Sequence, residues 1–311
     1  MIFVLAGFIL GSVLGSFIKV LADRSLSNRS FWGRSYCPNC KKNLRWYDLF
    51  PIFSYISTLG KCRYCKKKIG IEYPLVEIVM GILVGYLFFL YSANFNFLIT
   101  EFSSNFKFQI VNLVKSTNFL LGLVLRVFFI CILAVVFITD IKKMFIPDRV
   151  IIPAIKIGFL YLLAVTLFDI GYLYYILSQT PVGQNLLPPN SPYFYRHAVM
   201  IVEPFLYSIL SGIVIGGFFL SLIIITRGKG MGGGDVKLGA FMGLMLGFPQ
   251  SLVALMIAFI SGAIFSIILI IFGKKRFGQV IPFGPFLVLG SLIALFFGNQ
   301  ILNWYLYLSF K

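Results

Sequence analysis

The chain has 311 residues, is 59% hydrophobic and 17% aromatic, and has a mean hydropathy of +0.94. Only 12% of its residues are charged, against about 25% in soluble domains, which excludes an ordinary soluble globule. The formal net charge of +17 invites a nucleic-acid reading, but the cations lie in loops beside apolar runs, where anionic lipid headgroups are the natural partner and no nucleic acid is expected.

The expected fold is an all-α polytopic membrane bundle of about eight transmembrane helices, at 2–22, 74–92, 119–139, 151–170, 199–225, 236–248, 250–272 and 283–308. The first lacks a basic n-region and a small-residue cleavage site, so it is read as a helix rather than a cleaved signal. The sixth is short, and Gly247-Phe248-Pro249 makes it half of a tight hairpin with the seventh. Three parts are expected: a first transmembrane helix (1–22), a cysteine-bearing loop (23–73) and a membrane bundle (74–311). The outer segments 93–118 and 171–198 are longer than a minimal bundle needs, and no internal repeat is evident.

Lysine and arginine distribute one-sidedly. The 23–73 loop holds eleven, 140–150 three, 226–235 two and 273–280 three, whereas the opposite side holds only Lys107, Lys115, Arg196 and Lys311. The positive-inside rule makes the rich side cytoplasmic.

Within that loop, Cys37, Cys40, Cys62 and Cys65 form C-x2-C, 21 residues, C-x2-C. Two such knuckles offer four thiolates to one tetrahedral zinc ion, and a reducing compartment disfavours disulfides. Four protein ligands leave no open position for water, so the zinc is expected to be structural. The alternative, a pair of redox-active C-x-x-C motifs, lacks the βαβ pattern that usually accompanies it. Cys131 lies in an apolar span and reads as a packing residue.

The sole histidine, His197, lies at an outer loop edge beside Arg196, so no Ser-His-Asp or Cys-His arrangement has local support. Of ten acids, Asp23, Asp48, Glu72 and Glu77 belong to or flank the cysteine loop, and Asp148 reads as a helix N-cap. Asp140 ends the third span and Asp235 opens the sixth. Both fall at the cytoplasmic boundary, where ionisable residues are costly and become functional candidates. Two converging carboxylates would share a proton, one activating water and the other polarising a carbonyl. The alternative is two helix-end residues facing water. The helix dipole places more of the charge on Asp235, at an N-terminus, and more of the proton on Asp140, at a C-terminus.

The stretch before Asp235, "TRGKGMGGGD", contains Gly232, Gly233 and Gly234, a loop that could let an extended peptide lie beside the acid. Gly228, Gly230 and Gly233 formally match G-x-G-x-x-G, but no βαβ unit surrounds them.

Several blocks together resemble the type IV prepilin peptidases, membrane aspartic peptidases of the GxGD kind. These are "GSVLGSFIKVLADR", the double C-x-x-C region through "IGIEYPLVE", "TDIKKMFIPD", "GKGMGGGDVKLGAFMG" and "IPFGPFLVLG". The resemblance implies catalytic Asp140 and Asp235, removal of the basic leader of prepilins or pseudopilins at the cytoplasmic face of the bacterial inner membrane, and N-methylation of the new terminus with S-adenosylmethionine. A basic leader gains nothing from a basic surface, so recognition is expected mainly through the substrate's apolar helix. Two readings from other classes compete. One is a zinc-ribbon membrane scaffold of a secretion or pilus system without catalysis. The other is a small-solute transporter broken at Gly228–Asp235, which explains the glycines but not the cysteines.

Overall fold

Helix follows helix wherever the apolar runs lie, and the described residues contain no β-sheet, only two isolated bridges. The computed structural model describes residues 2–27, 29–31, 33–101, 106–228, 231–273 and 281–309, with side chains described outside 93–118 and 309. The basic segment 274–280, and Lys107 and Lys115, which the charge count assigned to the opposite side, lie outside the described residues or side chains.

The chain folds as two compact units, Met1–Phe145 and Ile146–Lys311. The first contains α1 (Ile2–Leu26), the cysteine loop with a 3-10 turn at Trp46–Leu49 and the one-turn α2 (Phe53–Ser57), then α3 (Glu72–Glu101) and α4 (Phe106–Lys143). The second contains α5 (Asp148–Ser178), the short α6 (Pro181–Gln184), α7 (Tyr193–Ile225), α8 (Gly233–Leu246), α9 (Gln250–Ile271) and α10 (Gly284–Ser309).

Among the described residues seven helices are long and apolar enough to cross a membrane, matching seven of the eight predicted spans. The remaining one is α8, with 14 residues. At 1.5 Å per residue it reaches about 21 Å, short of a hydrocarbon core about 30 Å thick. Gly247, at φ +67, then turns the chain into α9. The segments 93–118 and 171–198, read from the sequence as outer, are more helical than that reading placed them. α3 runs on to Glu101 and α4 begins at Phe106, while α5 continues through the tyrosine-rich stretch to Ser178 and α7 starts at Tyr193.

Small residues set the packing. In the first unit Gly7, Gly11 and Gly15 recur four apart, so one face of α1 is bare backbone lying on α3. A Cβ at Gly15 would come within 2.9 Å of the Glu77 Cα, and one at Gly11 would strike the Met80 carbonyl. In the second unit Gly212 and Gly216 of α7 face Ala240 and Leu244 of α8, and Gly243 faces the backbone of Ser211. The Ser211 and Ser251 hydroxyls, buried and 2.6 Å apart, tie α7 to α9.

Candidate functional site

The cysteine loop is built from one backbone device used twice. The Cys37 N–H donates to the Lys42 carbonyl (3.0 Å), and the Lys41 N–H returns to the Cys37 carbonyl (2.8 Å). Twenty-five positions on, Cys62 donates to Lys67 (2.8 Å) and Lys66 to Cys62 (2.9 Å). Lys41 and Lys66 both sit at φ 57, and bridges Tyr36–Asn43 and Lys61–Lys68 close the two knuckles. This is a short internal repeat that the sequence reading passed over.

The knuckles bring all four predicted ligands together. The Cys37, Cys40, Cys62 and Cys65 sulfurs lie within 4.8 Å of one another, and Cys37 and Cys65 are 3.9 Å apart. Four thiolates at about 2.3 Å from one ion are about 3.8 Å apart in a tetrahedron, so the cluster fits a zinc-sized metal. Without a metal the four sulfurs divide the charge unevenly. The Lys67 backbone N–H and the Asn39 amide pull Cys65 down to about 6. Against the Lys42 backbone N–H, desolvation and the neighbouring thiols Cys37 and Cys65 push Cys40 up to about 11.

Charged side chains brace this loop from within. Arg24 donates to the Phe31 and Gly33 carbonyls (2.6 and 3.0 Å). The Asp48 carboxylate accepts from Arg63 (3.0 Å), the Tyr64 hydroxyl (2.9 Å) and the Arg45 N–H (3.1 Å). Desolvation and that carboxylate push the Tyr64 phenol up to about 12. Lys42 and Arg63 lie over the Tyr64 and Tyr47 rings.

Where α1, α3 and α4 meet there is an alternating quartet of charges that sequence reasoning missed. Lys19, only 1% exposed, contacts Asp23 (2.6 Å) and Glu72 (3.1 Å). Lys142 contacts the other oxygens of the same two acids, at 3.2 and 2.8 Å. The Tyr73 hydroxyl donates to Asp23 (3.2 Å), and its ring lies under Lys19. The available signal was the i, i+4 pair Lys19 and Asp23 inside an apolar helix.

That quartet fixes the end of α4, which carries Asp140. Lys142 is two residues past Asp140, and Lys143 donates to the Leu26 carbonyl (3.0 Å). Asp140 is 5% exposed beside the fully buried Thr139. Its burial in the last turn of a helix distinguishes it from a solvated helix-end acid.

In the second unit Asp235 lies in the first turn of α8, half-buried, its N–H bonded to the Gly232 carbonyl (3.1 Å). The glycines before it divide by role. Gly232 is extended, at φ −90, and both it and Gly233 border open space. Gly234 is held tight: a Cβ there would lie 3.0 Å from the Ile146 Cβ. The left-handed backbone lies earlier, at Arg227 and Gly228.

The remaining candidates settle into structural roles. Asp148 is the first helical residue of α5 rather than its N-cap, which is Pro147, and it pairs with Lys237 (2.6 Å). His197 stacks on Tyr193 at the start of α7.

Residues 9–91 match the bacterial peptidase A24 N-terminal domain, and residues 191–267 match the type IV leader peptidase family. Three curated proteins similar over nearly the whole chain bear the name prepilin leader peptidase/N-methyltransferase. That of Bacillus subtilis (strain 168) is 28% identical over 300 residues, 96% of each chain. That of Burkholderia pseudomallei (strain K96243) is 26% identical over 318 residues, 94% of this chain and 84% of its own. That of Pseudomonas aeruginosa is 25% identical over 329 residues, 98% and 93%. No solved structure matches the chain. The chain belongs to the type IV leader peptidase family.

Proposed function

We propose that the chain is a membrane aspartic endopeptidase that removes the short leader of type IV prepilins or pseudopilins, and that it also N-methylates the new terminus with S-adenosylmethionine. The observation that carries the peptidase half is the buried Asp140 at the end of α4, in a chain whose other candidate acid, Asp235, opens a glycine-preceded helix. The relatives' shared name supports both halves.

In this reading Asp140 and Asp235 converge on one scissile peptide and share one proton. Asp235, favoured as the anion by the dipole of α8, takes a proton from water as the oxygen attacks the carbonyl carbon. Asp140, holding the shared proton at the C-terminal end of α4, donates it to the carbonyl oxygen, regains a proton from a gem-diol hydroxyl as the intermediate collapses and passes it to the leaving amine, while the proton that Asp235 took from water becomes the shared one. Gly232 and Gly233 lend bare backbone against which an extended substrate lies.

The four cysteines would hold zinc and make the loop rigid without offering it an open coordination site. The one-sided lysines and arginines argue for an inner-membrane protein with cysteine loop and aspartates facing the cytoplasm, its basic rim on anionic lipid.

The test is cleavage of a prepilin by purified protein in lipid, comparing wild type with Asp140→Asn and Asp235→Asn. Each variant is expected to lose at least about 100-fold in rate, the scale of removing a general acid or base. Mass spectrometry with added S-adenosylmethionine reads the methyl gain. Cleavage persisting in either variant defeats the paired-aspartate mechanism.

A further inference from the structure

Beneath the cysteine knuckles, wholly within the first unit, lies a cavity of about 480 Å³ walled by the ends of α1 and α3, the knuckles and α2. That is within the range of small-ligand sites, about 300–1,000 Å³. Three carboxylates line it, and two are already neutralised: Asp23 by Lys19 and Lys142, Asp48 by Arg63.

The third is Glu77, 8% exposed. It accepts the Ile52 N–H (2.7 Å) and a bond from the Ser16 hydroxyl, both neutral donors. Among the described residues no lysine or arginine pairs with it. The Ile52 donor is held at a cost, because its backbone sits at φ 62, ψ −51, where a β-branched residue is strained. A buried carboxylate lacking a cation, on the wall of a ligand-sized cavity and gripped by a strained donor, is a receptor for positive charge.

We propose that this cavity is the methyl-donor site, and that Glu77 faces the sulfonium cation of S-adenosylmethionine. The inference rests on the methyltransferase half of the proposed function. The rest of the wall suits that ligand. Tyr55 offers an aromatic face for adenine or the sulfonium, and Lys61 and Lys68 offer charge to the donor's carboxylate. Glu77 is thereby separated from Glu72, the neighbouring acid of the same helix, whose oxygens are taken by lysines.

The experiment is equilibrium binding to zinc-loaded protein in nanodiscs, with S-adenosylmethionine and S-adenosylhomocysteine compared. The two differ by one methyl group and the positive charge on sulfur. Wild type is expected to prefer the charged form, and Glu77→Gln, which keeps an acceptor for the Ile52 N–H, to shrink that preference at least about tenfold. Glu77→Asp should restore part of it. Thr58→Phe, filling the cavity from the α2 side, should weaken both ligands alike. Zinc content reports folding; if Glu77→Gln loses the metal, Thr58→Phe decides. Donor binding that ignores Thr58→Phe overturns the cavity as the site, and a charge preference unchanged in a zinc-loaded Glu77→Gln overturns the role of Glu77, in each case leaving the methyltransferase reading standing. A wild-type protein that binds neither ligand overturns this inference and that reading together.

Discussion

Stripping Lys19 of its acids should damage the first unit far more than removing Lys19 itself. Lys19 is buried to 1% exposure, whereas Asp23 and Glu72 are 33% and 45% exposed. In Lys19→Met the two acids keep Lys142, at 3.2 and 2.8 Å, and both retain contact with water. The loss is then two half-exposed ion pairs worth about 0–1 kcal/mol each, offset by no longer burying an ammonium. The net cost should be about 1 kcal/mol or less. In Asp23→Asn with Glu72→Gln, the Lys19 ammonium stays in the helix interface with no anion, an arrangement that costs about 3–5 kcal/mol. Denaturation of each variant in mixed micelles, followed by circular dichroism, measures the difference. A Lys19→Met protein as unstable as the double variant would refute the reasoning, because the stabilisation would then lie in the ion pairs themselves rather than in sparing a buried charge.

Loading metal-free protein with zinc near neutral pH should release protons. Cys40, pushed up to about 11, still holds its proton there, whereas Cys65, at about 6, is mostly thiolate. Metal affinity should therefore rise with pH, and calorimetry in two buffers of different ionisation enthalpy counts the protons; a count of zero removes the four-thiolate site. Gly234→Ala should destabilise the second unit by about 1–3 kcal/mol, since its Cβ would press on Ile146 at 3.0 Å. Gly233→Ala meets nothing and should leave thermal stability intact. It should lower kcat/KM for prepilin by about tenfold if substrate backbone lies against it, given that a 1 Å displacement can cost about 100-fold. Unchanged cleavage in Gly233→Ala would remove the glycine strip from the substrate path.

What the sequence made legible was chemistry carried by spacing along the chain. The two C-x2-C pairs announce a tetrahedral site because each knuckle is local, and the structure gathers the four sulfurs as expected. Apolar runs located seven membrane-length helices for the same reason. What stayed hidden depends on contacts between distant segments. Lys19 and Asp23 look like the polar exit of a helix until Glu72 and Lys142 close the quartet around them. Glu77 reads as one more acid beside the cysteine loop until the Ile52 amide turns toward it and a cavity opens at its side. The spacing Gly7, Gly11 and Gly15 was available, but only the approach of α3 gives it meaning.

The same contacts refine the placing of Asp235, which the charge distribution leads one to expect at the membrane boundary. On the α7–α8 interface Ser211 lies against Gly243 and Gly216 against Ala240, an antiparallel register. Continued for five residues, it brings Asp235 beside about Leu220, whereas α7 runs on to Ile225. At 1.5 Å per residue the acid therefore lies about 7 Å short of the end of α7, a helix of 33 residues. A carboxylate beside an apolar helix is costly unless water or another polar group reaches it. Ahead of it in the chain, Gly232 and Gly233 border open space. The glycines thus do two different jobs. Gly212, Gly216, Gly239 and Gly243 let α8 press close against α7, and Gly232 and Gly233 ahead of Asp235 leave open space beside their backbone.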